Sequence, residues 1–143
     1  MKTNDEIIYD YIISLLNTPF IWKGKSSLVG YDSASLIIDI LVSQGFLFPN
    51  FEGNVQHLYN WISDGQVSEE KQFGSIAFFG ANKNELYHCG FLINRSFMVE
   101  MFNGKSTINS KIIAQALDSR VRIMPIDYRK DLVKIIKPLA RRT

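Results

Sequence analysis

The spacing of hydrophobic and polar positions changes period midway along the chain. Over residues 4–16, Ile7, Ile8, Tyr11, Ile12, Leu15 and Leu16 recur at helical spacing, and Thr3 with Glu6 offers a capping box at the start. Asn17-Thr18-Pro19 ends this helix, because a residue before proline avoids the α region. Residues 18–31 read as an irregular segment holding Phe20, Trp22, Gly24 and Gly30. The next helix is predicted from about Ser33 to Gln44, with Gly45 as C-cap. Its Ala34, Leu36, Ile37, Ile38, Ile40, Leu41 and Val42 are apolar nearly all round, so it packs on several sides. Asp32 or Ser33 is its N-cap, which sets position 33 at the positive end of a buried helix dipole.

Residues 46–72 are loop-rich, with Val55, Leu58, Tyr59 and Ile62 suggesting one short helix. After Gly74 the period becomes two. Strands are predicted at about 75–80, 87–93, 97–102 and 120–126, a helix at 111–118 and a final helix near 128–137. Helices lead and an antiparallel meander follows, an α+β layout.

Composition narrows this further. A chain of 143 residues, 46% hydrophobic and 21% charged, fits a single domain over 1–143. No run approaches the roughly 18 apolar residues of a membrane helix. The opening MKTNDEII lacks the basic and apolar blocks of a signal peptide, so cytoplasmic synthesis outside the general secretory route is expected. The one cysteine, Cys89, excludes an internal disulfide framework. His57 and His88 have no HxxxH or CxxC partner, so no metal site is expected. The net charge of +2 conceals an asymmetry: residues 120–143 carry +6, which leaves −4 for residues 1–119. No aromatic stacking pattern accompanies the basic tail, which is expected to be a solvated surface helix rather than a nucleic-acid site.

Position 33 and His88 are the pair that suggests chemistry. A side chain at a buried helix N-terminus feels a potential that stabilises an anion, and a histidine on a strand packed against that helix can serve as its base. The residue is serine, however, and the plain alternative is an N-cap serine beside a hydrogen-bonded strand histidine. A third member depends on one loop. If Asn94-Arg95-Ser96 is a three-residue hairpin loop, 93 faces 97, 90 faces 100, and Glu100 shares the face of His88 about 7–8 Å away at the backbone. Gly90 would leave the space between them open. A two-residue loop would send Glu100 to the other face. Cys89, next to His88 on the strand, points the opposite way and is expected to be an inert core thiol. His57 is assigned to the surface.

Four blocks of sequence resemble, in order, those of the NlpC/p60 cysteine peptidases. They are Thr18-Pro19-Phe20-Ile21-Trp22-Lys23-Gly24, Gly30-Tyr31-Asp32-Ser33-Ala34-Ser35-Leu36, Gly74-Ser75-Ile76-Ala77-Phe78-Phe79 and His88-Cys89-Gly90-Phe91. The family pattern runs roughly T-P-Y-x-W-G-G, G-x-D-C-S-G-L, G-D-L-V-F-F and H-V-G-I. A third polar residue follows about twelve positions after the histidine, where Glu100 stands. The resemblance covers about residues 10–105. It implies a papain-like α+β fold with a central helix packed on an antiparallel sheet. It also implies cleavage of peptidoglycan stem peptides, commonly between D-γ-glutamate and diaminopimelate, without a metal or organic cofactor.

The resemblance maps the nucleophile onto Ser33, the base onto His88 and its orienting partner onto Glu100, with Phe20, Trp22, Tyr31 and Asp32 lining the substrate groove. Four positions depart from the pattern: serine for cysteine at 33, Phe20 for tyrosine, Ser75 for aspartate, and Glu100 for histidine, asparagine or glutamine. Only Ser33 bears directly on the chemistry. It fits an engineered replacement that silences a thiol peptidase, the reading that the intact Asp32, His88 and Glu100 favour. It also fits a natural loss that leaves a peptide-binding module. A papain-like thiol amidase or acyltransferase on another substrate would carry the same residues. Action on the wall would then require phage-type release or a specialised secretion route.

Overall fold

The computed structural model describes residues 1–19, 25–26, 30–102 and 120–139. Helix α1 spans Asn4–Ser14, and the Thr3 hydroxyl caps it by accepting the Glu6 N–H at 3.1 Å. Ile12 and Leu15 are buried, whereas Ile7, on the same face by spacing, is 53% exposed. A two-residue ribbon follows, β1 (Lys25–Ser26) with β2 (Gly30–Tyr31). Helix α2 then runs Ser33–Gln44, and Gly45 takes the left-handed conformation (φ 81°) that ends it. Leu36, Ile37, Ile40 and Leu41 are wholly buried, while Ile38 and Val42 are half-buried on the remaining side. Burying each such side chain contributes about 1.5–3 kcal/mol, so α2 anchors the core. Helix α3, Val55–Ser63, opens with a capping box in which Asn54 and the exposed His57 each bond the other's backbone N–H.

The rest is strand: β3 (Val67–Ser68), β4 (Ile76–Gly80), β5 (Leu86–Leu92), β6 (Phe97–Phe102), β7 (Arg120–Pro125) and β8 (Leu132–Pro138). They form one antiparallel sheet in the order β3-β8-β4-β5-β6-β7. The larger core lies between the helices and one face, which presents Ile76, Phe78, Cys89, Phe91, Val99 and Met101. The other face carries a smaller cluster of Ala77, Phe79, Leu92, Met98, Ile126 and Ile135. Both faces of β4 and β5 are therefore covered, which accounts for their near-continuous apolar sequences.

The C-terminal part corrects the sequence reading. Residues 128–137 are not a helix: Ile126–Tyr128 is a single 3-10 turn, and Leu132–Pro138 is β8, inserted between β3 and β4. Val133, Ile135 and Ile136 are β-branched, and the outer edge of β4 needs a hydrogen-bonding partner that a helix cannot supply. The tail's lysines are accordingly spread along a strand, with Lys134 paired to Glu69. The helix expected at 111–118 lies outside the described residues. Among those described, no helix is long and apolar enough to cross a membrane.

Candidate active site

The hairpin between β5 and β6 fixes the geometry. Phe91 pairs with Val99 and Leu92 with Met98, and the Ile93 N–H donates to the Phe97 carbonyl at 3.0 Å. Residues 94–96 are thus the three-residue loop, tightened by the Asn94 side chain accepting the N–H groups of Ser96 and Phe97. That parity places His88 and Glu100 on the same face. Among the described residues the β5–β6 ladder ends after these two pairs, so His88 and Glu100 lie where the strands are no longer stitched together. The first turn of α2 meets the sheet there. The Ser33 carbonyl accepts from the Cys89 thiol at 3.5 Å, and the Ser33 hydroxyl lies 3.3 Å from His88 Nδ1.

Beyond the imidazole, His88 Nε2 is 2.5 Å from Glu100 Oε1. Both side chains are shut away from solvent, His88 at 1% and Glu100 at 0% exposure. A carboxylate accepts only, so Nε2 carries the ring proton and Nδ1 offers its lone pair to the Ser33 hydroxyl. Hydroxyl, imidazole and carboxylate thus form a row suited to withdrawing a proton from position 33.

Two adjacent residues contribute in different ways. Asp32 is the N-cap: its side chain accepts the Ser35 N–H at 2.8 Å, while Ser35 Oγ accepts the Asp32 N–H at 3.0 Å. This reciprocal pair holds the first turn of α2 in place and leaves position 33 at the head of the helix. Asp32 and Ser35 also line a cavity of about 380 Å³, together with Ile38, Val42, Pro49 and Phe51. Cys89, one residue from His88, faces the helix-side core, and burial above all pushes its thiol well above the ordinary range. Ser75, where the motif has aspartate, is fully buried and ties the preceding loop through the Glu70 carbonyl at 2.6 Å.

Phe20 and Trp22 lie outside the described residues, and Tyr31 is described only through its backbone in β2. One expectation is corrected. The space over Gly90 is not open, because a Cβ there would lie 2.5 Å from Met98 Sδ: the thioether folds across the glycine and fills it.

Several neighbours escaped the sequence. Glu100 Oε2 accepts the Tyr128 hydroxyl at 2.5 Å, and burial, reinforced by the carboxylate, raises the phenol's pKa far above normal. The Phe79 ring sits 5.5 Å from the imidazole, centroid to centroid, and the Arg129 guanidinium lies over that ring, 4.8 Å from its centroid. Arg129 is fixed by a two-pronged pair with Asp131 at 3.0 and 2.9 Å. Pro125 signals a break after β7, but no pattern in the sequence says that the next turn folds back toward position 100. Among the described residues no cluster of three or more His, Cys, Asp or Glu could hold a metal ion.

No family model matches the sequence, and neither does any curated protein. Solved structures do. An NlpC/p60 family protein from Bacillus cereus superposes with a TM-score of 0.70 at 20% identity, over 98% of this chain and 42% of its own. The NlpC/p60 domain of the peptidoglycan hydrolase SagA gives 0.64 at 13% identity, over 96% of this chain and 100% of its own. RipD from Mycobacterium tuberculosis, a non-catalytic NlpC/p60 domain protein adapted to peptidoglycan binding, gives 0.65 at 14%, over 98% and 100%. The chain spans less than half the length of the Bacillus cereus protein. It is similar to hydrolytic and non-catalytic members alike, and its fold is the NlpC/p60 fold.

Proposed function

We propose that this site is built to cleave peptidoglycan stem peptides by acyl transfer through residue 33, in the manner of a D-γ-glutamyl-diaminopimelate endopeptidase, and that Ser33 holds it nearly silent. The single observation carrying this reading is the continuous row from Ser33 Oγ through His88 to Glu100. With a thiol at position 33, the sulfur attacks the amide carbonyl. His88 Nδ1 takes its proton and returns it to the leaving amine, and water then releases the acyl group with the same imidazole as base. Glu100 keeps the ring in the required tautomer. The backbone N–H of residue 33, at the positive end of α2, faces the developing oxyanion. The resemblance assigns the groove that receives the peptide to Phe20, Trp22, Tyr31 and Asp32.

Serine in place of cysteine weakens this sequence at its first step, because a hydroxyl is far harder to ionise than a thiol. The serine then reads as a replacement within a site otherwise kept whole. A second reading is favoured by the same Ser33 together with the likeness to RipD: a domain that holds wall peptides without cutting them. The two part on one experiment. Purified muropeptides are incubated with the chain and with its Ser33→Cys variant, and products are read by mass spectrometry. The hydrolase reading expects new stem-peptide fragments from the variant. A folded variant that binds muropeptides of several chemotypes but cuts none supports the binding domain.

A further inference from the structure

Glu100 is a fully buried carboxylate, and it has two donors rather than one. His88 Nε2 occupies Oε1 at 2.5 Å, and the Tyr128 hydroxyl occupies Oε2 at 2.5 Å. A carboxylate with a single donor rotates about its terminal torsion, which has only broad preferences. With a donor on each oxygen, the plane of the group is fixed, and so is the direction from which Oε1 meets the imidazole. We infer that Tyr128 is a positioning residue, which acts through Glu100 to hold the His88 ring at the angle that aims Nδ1 at position 33.

The surrounding turn suits this task. Pro125 ends β7, the 3-10 turn Ile126–Tyr128 brings the phenol under β6, and the Ile126 N–H fastens the turn to the Ser96 carbonyl at 2.9 Å. The next residue, Arg129, lies over Phe79, a ring that also neighbours the imidazole. One short segment therefore braces both the carboxylate and the ring of the pair. The phenol also stays a donor: burial, and then the adjacent carboxylate, oppose its ionisation and outweigh the opposite pull of the Arg129 guanidinium.

This role rests on the proposed hydrolytic reading, and its test includes a measurement that does not. In the Ser33 chain itself, the proton on His88 Nε2, held against a carboxylate and shut from water, is expected as a resonance downfield of the amide protons in the NMR spectrum. In Tyr128→Phe, which keeps the ring and removes the hydroxyl, the resonance should shift or broaden away. An unchanged position and width would overturn the inference, whatever the chain does to peptidoglycan. In the Ser33→Cys background, Tyr128→Phe should lower kcat roughly tenfold with KM within about twofold, since the lost contact acts on the base and not on substrate. It should cost nothing further once Glu100→Gln is present, because the effect runs through that side chain. Equal losses with and without Glu100→Gln would assign Tyr128 to packing and overturn its positioning role. If Tyr128→Phe fails to fold, 3-fluorotyrosine throughout the chain makes the phenol a stronger donor, and the same resonance must move or the inference fails.

Discussion

His88 and Cys89 are neighbours on one strand and share almost complete burial, yet the sheet divides them into two chemistries. Cys89, with Phe91, Val99 and Met101, faces the helices in an apolar layer where its thiol is held protonated. His88, with Glu100 and Phe79, faces the other way, where each polar atom on the path from position 33 has a partner. Burial alone therefore does not mark a reactive group. What separates the faces is the kind of partner: the thiol meets apolar side chains and one backbone carbonyl, whereas the imidazole has a hydroxyl on one nitrogen and a carboxylate on the other. Ser33 touches both: its carbonyl meets the thiol and its hydroxyl meets the imidazole.

The contrast can be broken from either side. The largest effect is expected from His88→Ala in the Ser33→Cys background, where stem-peptide cleavage should fall by about a thousandfold or more. A loss of only a few-fold would mean that the polar face supplies no base. Next comes thiol reactivity. At neutral pH, iodoacetamide should modify the cysteine of Ser33→Cys at least about a hundredfold faster than Cys89, as read by peptide mass spectrometry. Equal rates would erase the distinction between the faces.

Adjacent substitutions on β6 sharpen it further. Met101→Ala, on the helix side, should cost roughly 2–5 kcal/mol in denaturant unfolding and change kcat little. Glu100→Gln should do the reverse, with a large loss of kcat in the Ser33→Cys background. The smallest effect concerns Asp131. Burial raises its pKa, but the hydrogen bonds and charge of Arg129 outweigh this and hold the carboxyl below its ordinary 3.8. A depressed carboxyl stabilises the fold above the unfolded value and loses that contribution as pH falls through the folded one. Asp131→Asn should therefore lower stability at neutral pH by under about 1 kcal/mol, and the difference should fade in strong acid. A gap that persists at the acid limit would show that the pairing carries no charge term.

The parts of this architecture that follow from local periodicity were legible in the sequence. Apolar residues on every side of 34–42 announced a central helix, and Gly45 announced its end. Counting through Asn94-Arg95-Ser96 left two registers, and the observed three-residue loop selects the one that puts His88 and Glu100 on one face. Non-local relations were not legible. Leu132–Pro138 reads locally as part of a helix, and only the open edge of β4 makes it a strand. Gly90 read as a gap, because a linear pattern does not say that Met98 will fold across it. Tyr128 reaches Glu100 from 28 residues away through a turn whose direction is set by packing. The triad was thus visible as residue types at a spacing, while its support was visible only in three dimensions.

The central claim is that residue 33 heads a working relay which its hydroxyl leaves nearly idle. The most direct measurement compares the Ser33 chain with Ser33→Cys on purified muropeptides by mass spectrometry. Stem-peptide fragments are expected from the thiol variant and almost none from the serine chain. Efficient cleavage by the serine chain, or no products from a folded thiol variant that binds the same muropeptides, would contradict it.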